Sequence, residues 1–172
     1  MTKPAVATLL VLPLLSSACH QGESAAQQAA EDARAVAMVE AVQTAAPPPA
    51  PIELQPITAA DIEKNGIYGA GCSLVPAAQP GGDPVMMAND RRAAIKLAGR
   101  FVTFAADMGS PVLAVGTRGH YVGKAQTLTI ARSPGDGTSL GQDAMRWEGS
   151  VTVRDAHDQL VYSASGELTC SS

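Results

Sequence analysis

The stretch "MRWEGSVTVRD", residues 145–155, alternates strictly. Met145, Trp147, Gly149, Val151 and Val153 fall on one side, and Arg146, Glu148, Ser150, Thr152 and Arg154 on the other. Successive side chains of a strand point to opposite faces, so this pattern predicts a half-buried antiparallel strand with one wet face. "DAHDQ" (155–159) follows with turn-forming residues. "LVYSASGELTC" (160–170) then returns with Leu160, Tyr162, Leu168 and Cys170 on a common face, which predicts a hairpin.

Working back from that hairpin, the same period of two predicts strands over 67–75, 85–88, 93–97, 100–106, 112–115 and 121–132, with Gly, Asn and Asp between them. Short strands without a second helical pattern make the fold class all-β, a small antiparallel barrel or sandwich. "ITAADIEKNG" (57–66) opens it with one short helix. Thr58 and Asp61 stand at capping-box spacing, and Asn65-Gly66 is a stop signal. On the simplest register Cys72 shares a side with Tyr68 and Leu74, and Cys170 a side with Leu168 and Tyr162, so both cysteines point inward. In an exported chain such a pair predicts a disulfide joining the first strand to the last. Closing a loop of that size stabilises by ~4.7 kcal/mol in the chain-entropy model. That matters in a chain with only two Phe, three Tyr and one Trp.

The expectation of export comes from the other end of the 172-residue chain. Lys3 precedes the largely apolar run "AVATLLVLPLL" (5–15) and then "SSA", which together read as a signal peptide over 1–18. The run is too short to span a bilayer as a helix, which takes about 20 residues. A cut before Cys19 resembles bacterial lipoprotein processing, although Ser16 stands where the usual lipobox has Leu. That resemblance implies a diacylated Cys19 as lipid anchor. With His20 rather than Asp in the next position, it implies sorting to the outer membrane, the domain facing the periplasm. Ser16 and Ala18 equally fit ordinary secretion, which would give a soluble periplasmic or secreted protein. Residues 19–56 then form a tether: an Ala-rich helical part with Ser24 as N-cap, followed by a spacer of polyproline type around Pro47, Pro48, Pro49 and Pro51. The β-domain occupies 57–172.

Charge argues against nucleic acid as a partner. From His20 to Glu63 there are seven acidic residues and one base, Arg34, and from Lys64 onward nine acids face ten bases. Neither part has the basic excess of a nucleic-acid binder. His20, His120 and His157 are widely spaced, and none stands with Cys, Asp or Glu at the spacing that zinc ligation from one element needs, so no metal and no cofactor is expected. "GIYGAG" (66–71) and "GDGTSLG" (135–141) lack the lysine and following helix of a phosphate loop and read as strand and turn. Asp107, Ser110 and His120 could be drawn as a nucleophile set, but no GxSxG turn carries the serine, and no enzyme is expected. The segment with most recognition chemistry is "GTRGHYVG" (116–123). There Arg118, His120 and Tyr121 put a cation, a titratable ring and an amphipathic aromatic on one hairpin, a possible binding loop for a carboxylate, phosphate or protein surface.

The order of "AAIKLAGRFVTFAADMGSP" (93–111), a Tyr-containing loop and "LTIAR" (128–132), between flanking cysteines, is similar to the membrane-bound and periplasmic lysozyme inhibitors. The resemblance covers roughly 72–170 and implies a small β-barrel that obstructs a lysozyme active site with loop residues. The family's Ser-Gly-rich and Thr-Lys-Gly motifs are represented only by "GSP" and "TRG", so no inhibitory residue is carried over. The sequence therefore leads to a cell-envelope lipoprotein with a non-catalytic binding or structural domain, its partner an envelope protein or a lysozyme.

Overall fold

In a computed structural model that describes residues 24–172, the alternating stretch becomes β8 (Ala144–Asp155), a 12-residue strand hairpinned to β9 (Leu160–Ser171). The signal peptide, Cys19 and His20 lie outside the described residues. The remaining strands are β1 (Gly71–Pro76), β2 (Met86–Ala88), β3 (Arg92–Leu97), β4 (Arg100–Ala106), β5 (His120–Val122), β6 (Gln126–Arg132) and the two-residue β7 (Thr138–Ser139). All pair antiparallel in the order β6-β5-β4-β3-β2-β1-β9-β8-β7. The additional β6–β8 pairing closes eight of them into a barrel, with β7 as a flap on β8. Of barrel and sandwich, closure selects the barrel.

The interior is aliphatic. Leu74, Met86, Ile95, Leu128, Val151, Val153 and Leu168 are fully buried, and Phe104 and Tyr121 are the aromatic rings among them. Cys72 and Cys170 sit directly opposite each other on β1 and β9 and form the expected disulfide, spanning 98 positions of sequence. Two glycines let the wall coil tightly. Gly149 and Gly166 are a cross-strand pair, and a Cβ on Gly166 would collide with the Val75 carbonyl and come within 2.7 Å of the Ala77 nitrogen.

Three sequence expectations are corrected. Leu160 is not on the inner face: β8 and β9 change register at Val153/Arg154, the extra residue is Val161, and Val161 is buried while Leu160 is exposed. Tyr68 is exposed, and β1 begins only at Gly71, because the chain first has to leave α2 through a left-handed Gly66. The strand expected over 121–132 is two strands, because Gly123 folds back on Gln126 and lies so close to the Phe104 ring that a Cβ would stand 2.9 Å from it.

The helices follow their caps. The Ala-rich α1 (Ala25–Thr44) starts at Ser24 with a full capping box and buries none of its residues. It lies in a unit that ends at Ala45, separate from the barrel unit 46–172. The last part of the spacer expected up to Pro56 lies on the barrel: from Ile52 the chain is hydrogen-bonded to it. Ile52 N–H donates to Val161 O, Gln55 N–H to Lys96 O and Ile57 N–H to Pro84 O, and Ile52, Leu54 and the fully buried Ile57 close that end of the barrel. The short α2 (Ala59–Asn65) has Thr58 as N-cap and Asp61 as its reciprocal partner. Asp61 also accepts from Lys96 Nζ on β3 at 2.7 Å, which clamps the helix to the wall.

Two predictions follow from these contacts. The Lys96 hydrogen bond, then those from Thr58, hold the Asp61 carboxyl at about 2 instead of 3.8. A depressed folded-state pKa contributes stability that is complete above the unfolded value and lost as pH falls from there through the folded one. Urea unfolding should therefore show stability declining from about pH 4 to pH 2, with Lys96→Met flattening the decline. Gly166→Ala should destabilise by about 2 kcal/mol or more in the same measurement, since the clashing atoms are main chain and cannot swing away.

Candidate functional site

The two ends of the barrel are built differently. One carries the hairpin tips 77–85, 98–99, 123–125 and 156–159 and is sealed by residues 52–57. The other carries 66–70, 89–91, 133–143 and the longest connection, 107–119 between β4 and β5. Arg118, His120 and Tyr121 all belong to this second end.

The 107–119 loop is a folded structure with its own ladder. Asp107 Oδ1 accepts from Gly109 N–H at 2.9 Å and Ser110 Oγ donates to Asp107 O at 2.7 Å, which turns the chain into Pro111. Val112 and Arg118 form an isolated bridge, and Leu113 N–H to Thr117 O and Thr117 N–H to Ala114 O make a miniature hairpin with Val115 and Gly116 at its tip. The strand expected over 112–115 is thus one arm of this hairpin and not a barrel stave: Leu113 and Ala114 pack partly against the core, but Val112 and Val115 are exposed and the segment pairs with the loop's own Thr117 and Arg118 instead of a neighbouring strand.

Beneath the tip the polar groups are used internally. Tyr121 is fully buried, its hydroxyl donating to Asn89 O at 2.6 Å and accepting from Arg118 N–H at 2.8 Å. Burial pushes its phenol above the usual value, so it stays protonated and able to donate. Arg118 reaches Met108 O and Ser110 O, both at 3.3 Å, and its buried Nε has no partner among the described residues. Thr117 is fully buried, with its hydroxyl 3.4 Å from Ala88 O. Hence Tyr121 and Arg118, expected on a flexible hairpin, are struts. Arg118 and His120 are both partly open, His120 with Nδ1 3.3 Å from Asp107 Oδ2.

Asp107, Ser110 and His120 are therefore brought together, yet not as a nucleophile relay. Ser110 Oγ donates to Asp107 O and accepts from His120 N–H, with no hydrogen bond to the imidazole. In a working set the hydroxyl must pass its proton to the ring. His157 sits at a hairpin tip, where Asp155 Oδ1 accepts from the main chain of His157 and Gln159. No group of three or more metal-ligating side chains occurs among the described residues.

What sequence reasoning missed is the apolar exterior. Met108, Val112, Val115 and Tyr68 are exposed at this end, and Val115 has φ +42°, a left-handed conformation rare for a β-branched residue. The signal was present in the neighbouring Gly116, directly after the expected strand, which allows a tight turn with Val115 at its tip.

The fold and this end together define a disulfide-closed, eight-stranded antiparallel barrel with one sealed end and one braced, apolar end. The chain matches no protein-family model, no curated protein and no solved structure.

Tyr121→Phe removes one hydroxyl that serves two buried main-chain groups. It should cost about 1–3 kcal/mol in urea unfolding. Amide exchange should accelerate at Arg118 and across the 107–119 loop while β8 and β9 stay protected.

Proposed function

We propose that the protein is a cell-envelope lipoprotein, held by lipid on Cys19, whose barrel is a non-catalytic binding or structural module facing the periplasm. The observation that carries the module reading is the 107–119 loop. Its polar side chains brace the loop from within, and it turns apolar side chains outward. A catalytic site needs the reverse, polar groups held free and aimed at a reacting atom. A disulfide between the first and last strands supports an oxidising compartment. The alternative reading, a lysozyme inhibitor, draws support from the same architecture, because the resemblance implied a small barrel acting through its loops.

Intact mass of the protein from native membranes tests the address. The expected species begins at Cys19, carries acyl chains and gains two hydrogens on reduction. A lighter, soluble species would overturn the anchor and move the search to soluble targets. A lysozyme clearing assay with the full chain separates the inhibitor reading, and turnover lost on replacing His120 would instead favour an enzyme.

A further inference from the structure

Seven large apolar side chains of the barrel unit are exposed: Tyr68, Met108, Val112, Val115, Val122, Leu140 and Leu160. Five of them, all but Val122 and Leu160, lie in the loops of the braced end, while the opposite end is covered by the chain's own residues 52–57. Scattered exposed apolar residues need no explanation, but a cluster at one end does. Val115 is its centre, lining clefts on both sides of the loop: one with Tyr68, Arg91 and Arg92, the other with Ala144 and Met145.

Two further features mark this end as a presented surface. Backbone strain persists only where the surroundings enforce it, and here Tyr121, Thr117 and Arg118 enforce a conformation that holds an apolar Val115 in the open. Beside it Arg91 is almost fully exposed, its Nε 4.0 Å from the largely exposed Asp90, a contact too weak to occupy a guanidinium. Tyr, Arg and Met around an apolar centre are the residue types enriched in protein interfaces.

We infer that the braced end, centred on Val115 and flanked by Arg91 and Tyr68, docks a folded protein that offers an apolar pocket edged by carboxylates. Charge complementarity at Arg91 sets the acidic edge. The inference rests on the binding-module reading and not on the acyl anchor.

The test places a benzophenone side chain at 108, 112 or 115 of the full chain, or at Gly81 or Ala156 of the opposite end, and irradiates it in the native envelope. One protein adduct is expected from the first three positions and none from the last two. Its cross-linked peptide should carry Asp or Glu beside apolar residues, and Arg91→Glu should reduce the yield about tenfold. Val115→Asp should weaken binding of the identified partner about tenfold or more while unfolding no more easily, because Asp accepts a positive φ more readily than Val. Adducts confined to the opposite end would overturn this surface and leave the module reading intact, whereas no protein adduct from either end would count against both. The unacylated Cys19→Ser chain, mixed with phosphatidylglycerol–phosphatidylethanolamine vesicles, provides the remaining arm. Binding there that Val115→Asp abolishes would reassign the surface to lipid and overturn the inference.

Discussion

The structure depends on one seam, the pairing of β1 with β9. A barrel exists only if its first and last strands meet, and here they meet across 98 positions of chain, so the contact is slow to find and entropically costly to hold. The seam is also the one place among the described residues where a covalent bond joins two strands. Cys72 and Cys170 are covalently joined, Leu74 and Leu168 face each other fully buried, and Pro76 lies against Gly166, where the backbones come too close for any side chain. With Phe104 and Tyr121 as the only fully buried aromatic rings, the interior supplies less burial per residue than an aromatic-rich core. A cross-link on the longest-range pair is where constraint of the unfolded chain matters most.

Closure also forces a distinction between ends. An eight-stranded barrel fills its middle with side chains but leaves two mouths, each needing cover. At one mouth the cover is the incoming chain, Ile52, Leu54 and Ile57, hydrogen-bonded to three separate parts of the barrel. At the other it is the 107–119 loop, bent over the opening with Thr117 and Tyr121 beneath it. The first cover presents apolar groups inward only. The second presents them in both directions, and its outward set has no structural role within the barrel unit.

Much of this was legible before any coordinates. The 100–106 strand is found at its expected bounds, the 145–155 strand is one residue longer, and the cysteine pairing follows from two parities, because period-two patterning leaves a half-buried strand little freedom. The failures share a cause. Continuing the parity puts Leu160 inside, but a bulge at Val161 interrupts it, and 112–115 has the composition of a stave because β-branched residues favour strands whether or not a sheet receives them. At the candidate site the residue types of Arg118, His120 and Tyr121 were visible, but not their direction. Whether a guanidinium faces solvent or its own loop carbonyls is decided by tertiary contacts.

That difference changes how the cluster of Asp107, Ser110 and His120 is understood. Three polar side chains meeting at the base of a loop can serve chemistry or scaffolding, and here the hydrogen bonds of the serine go to scaffolding. Ser110 Oγ gives its proton to a main-chain carbonyl and receives one from a main-chain amide, so both capacities go to backbone groups that the turn would otherwise leave unpaired. Arg118 adds two more carbonyls. The loop thereby satisfies much of its main chain internally, while Tyr121 and Ile130 of the sheet take up Arg118 N–H and Gly119 O, and that bracing is what lets Val115 stand outside it in a conformation that an unsupported valine would abandon.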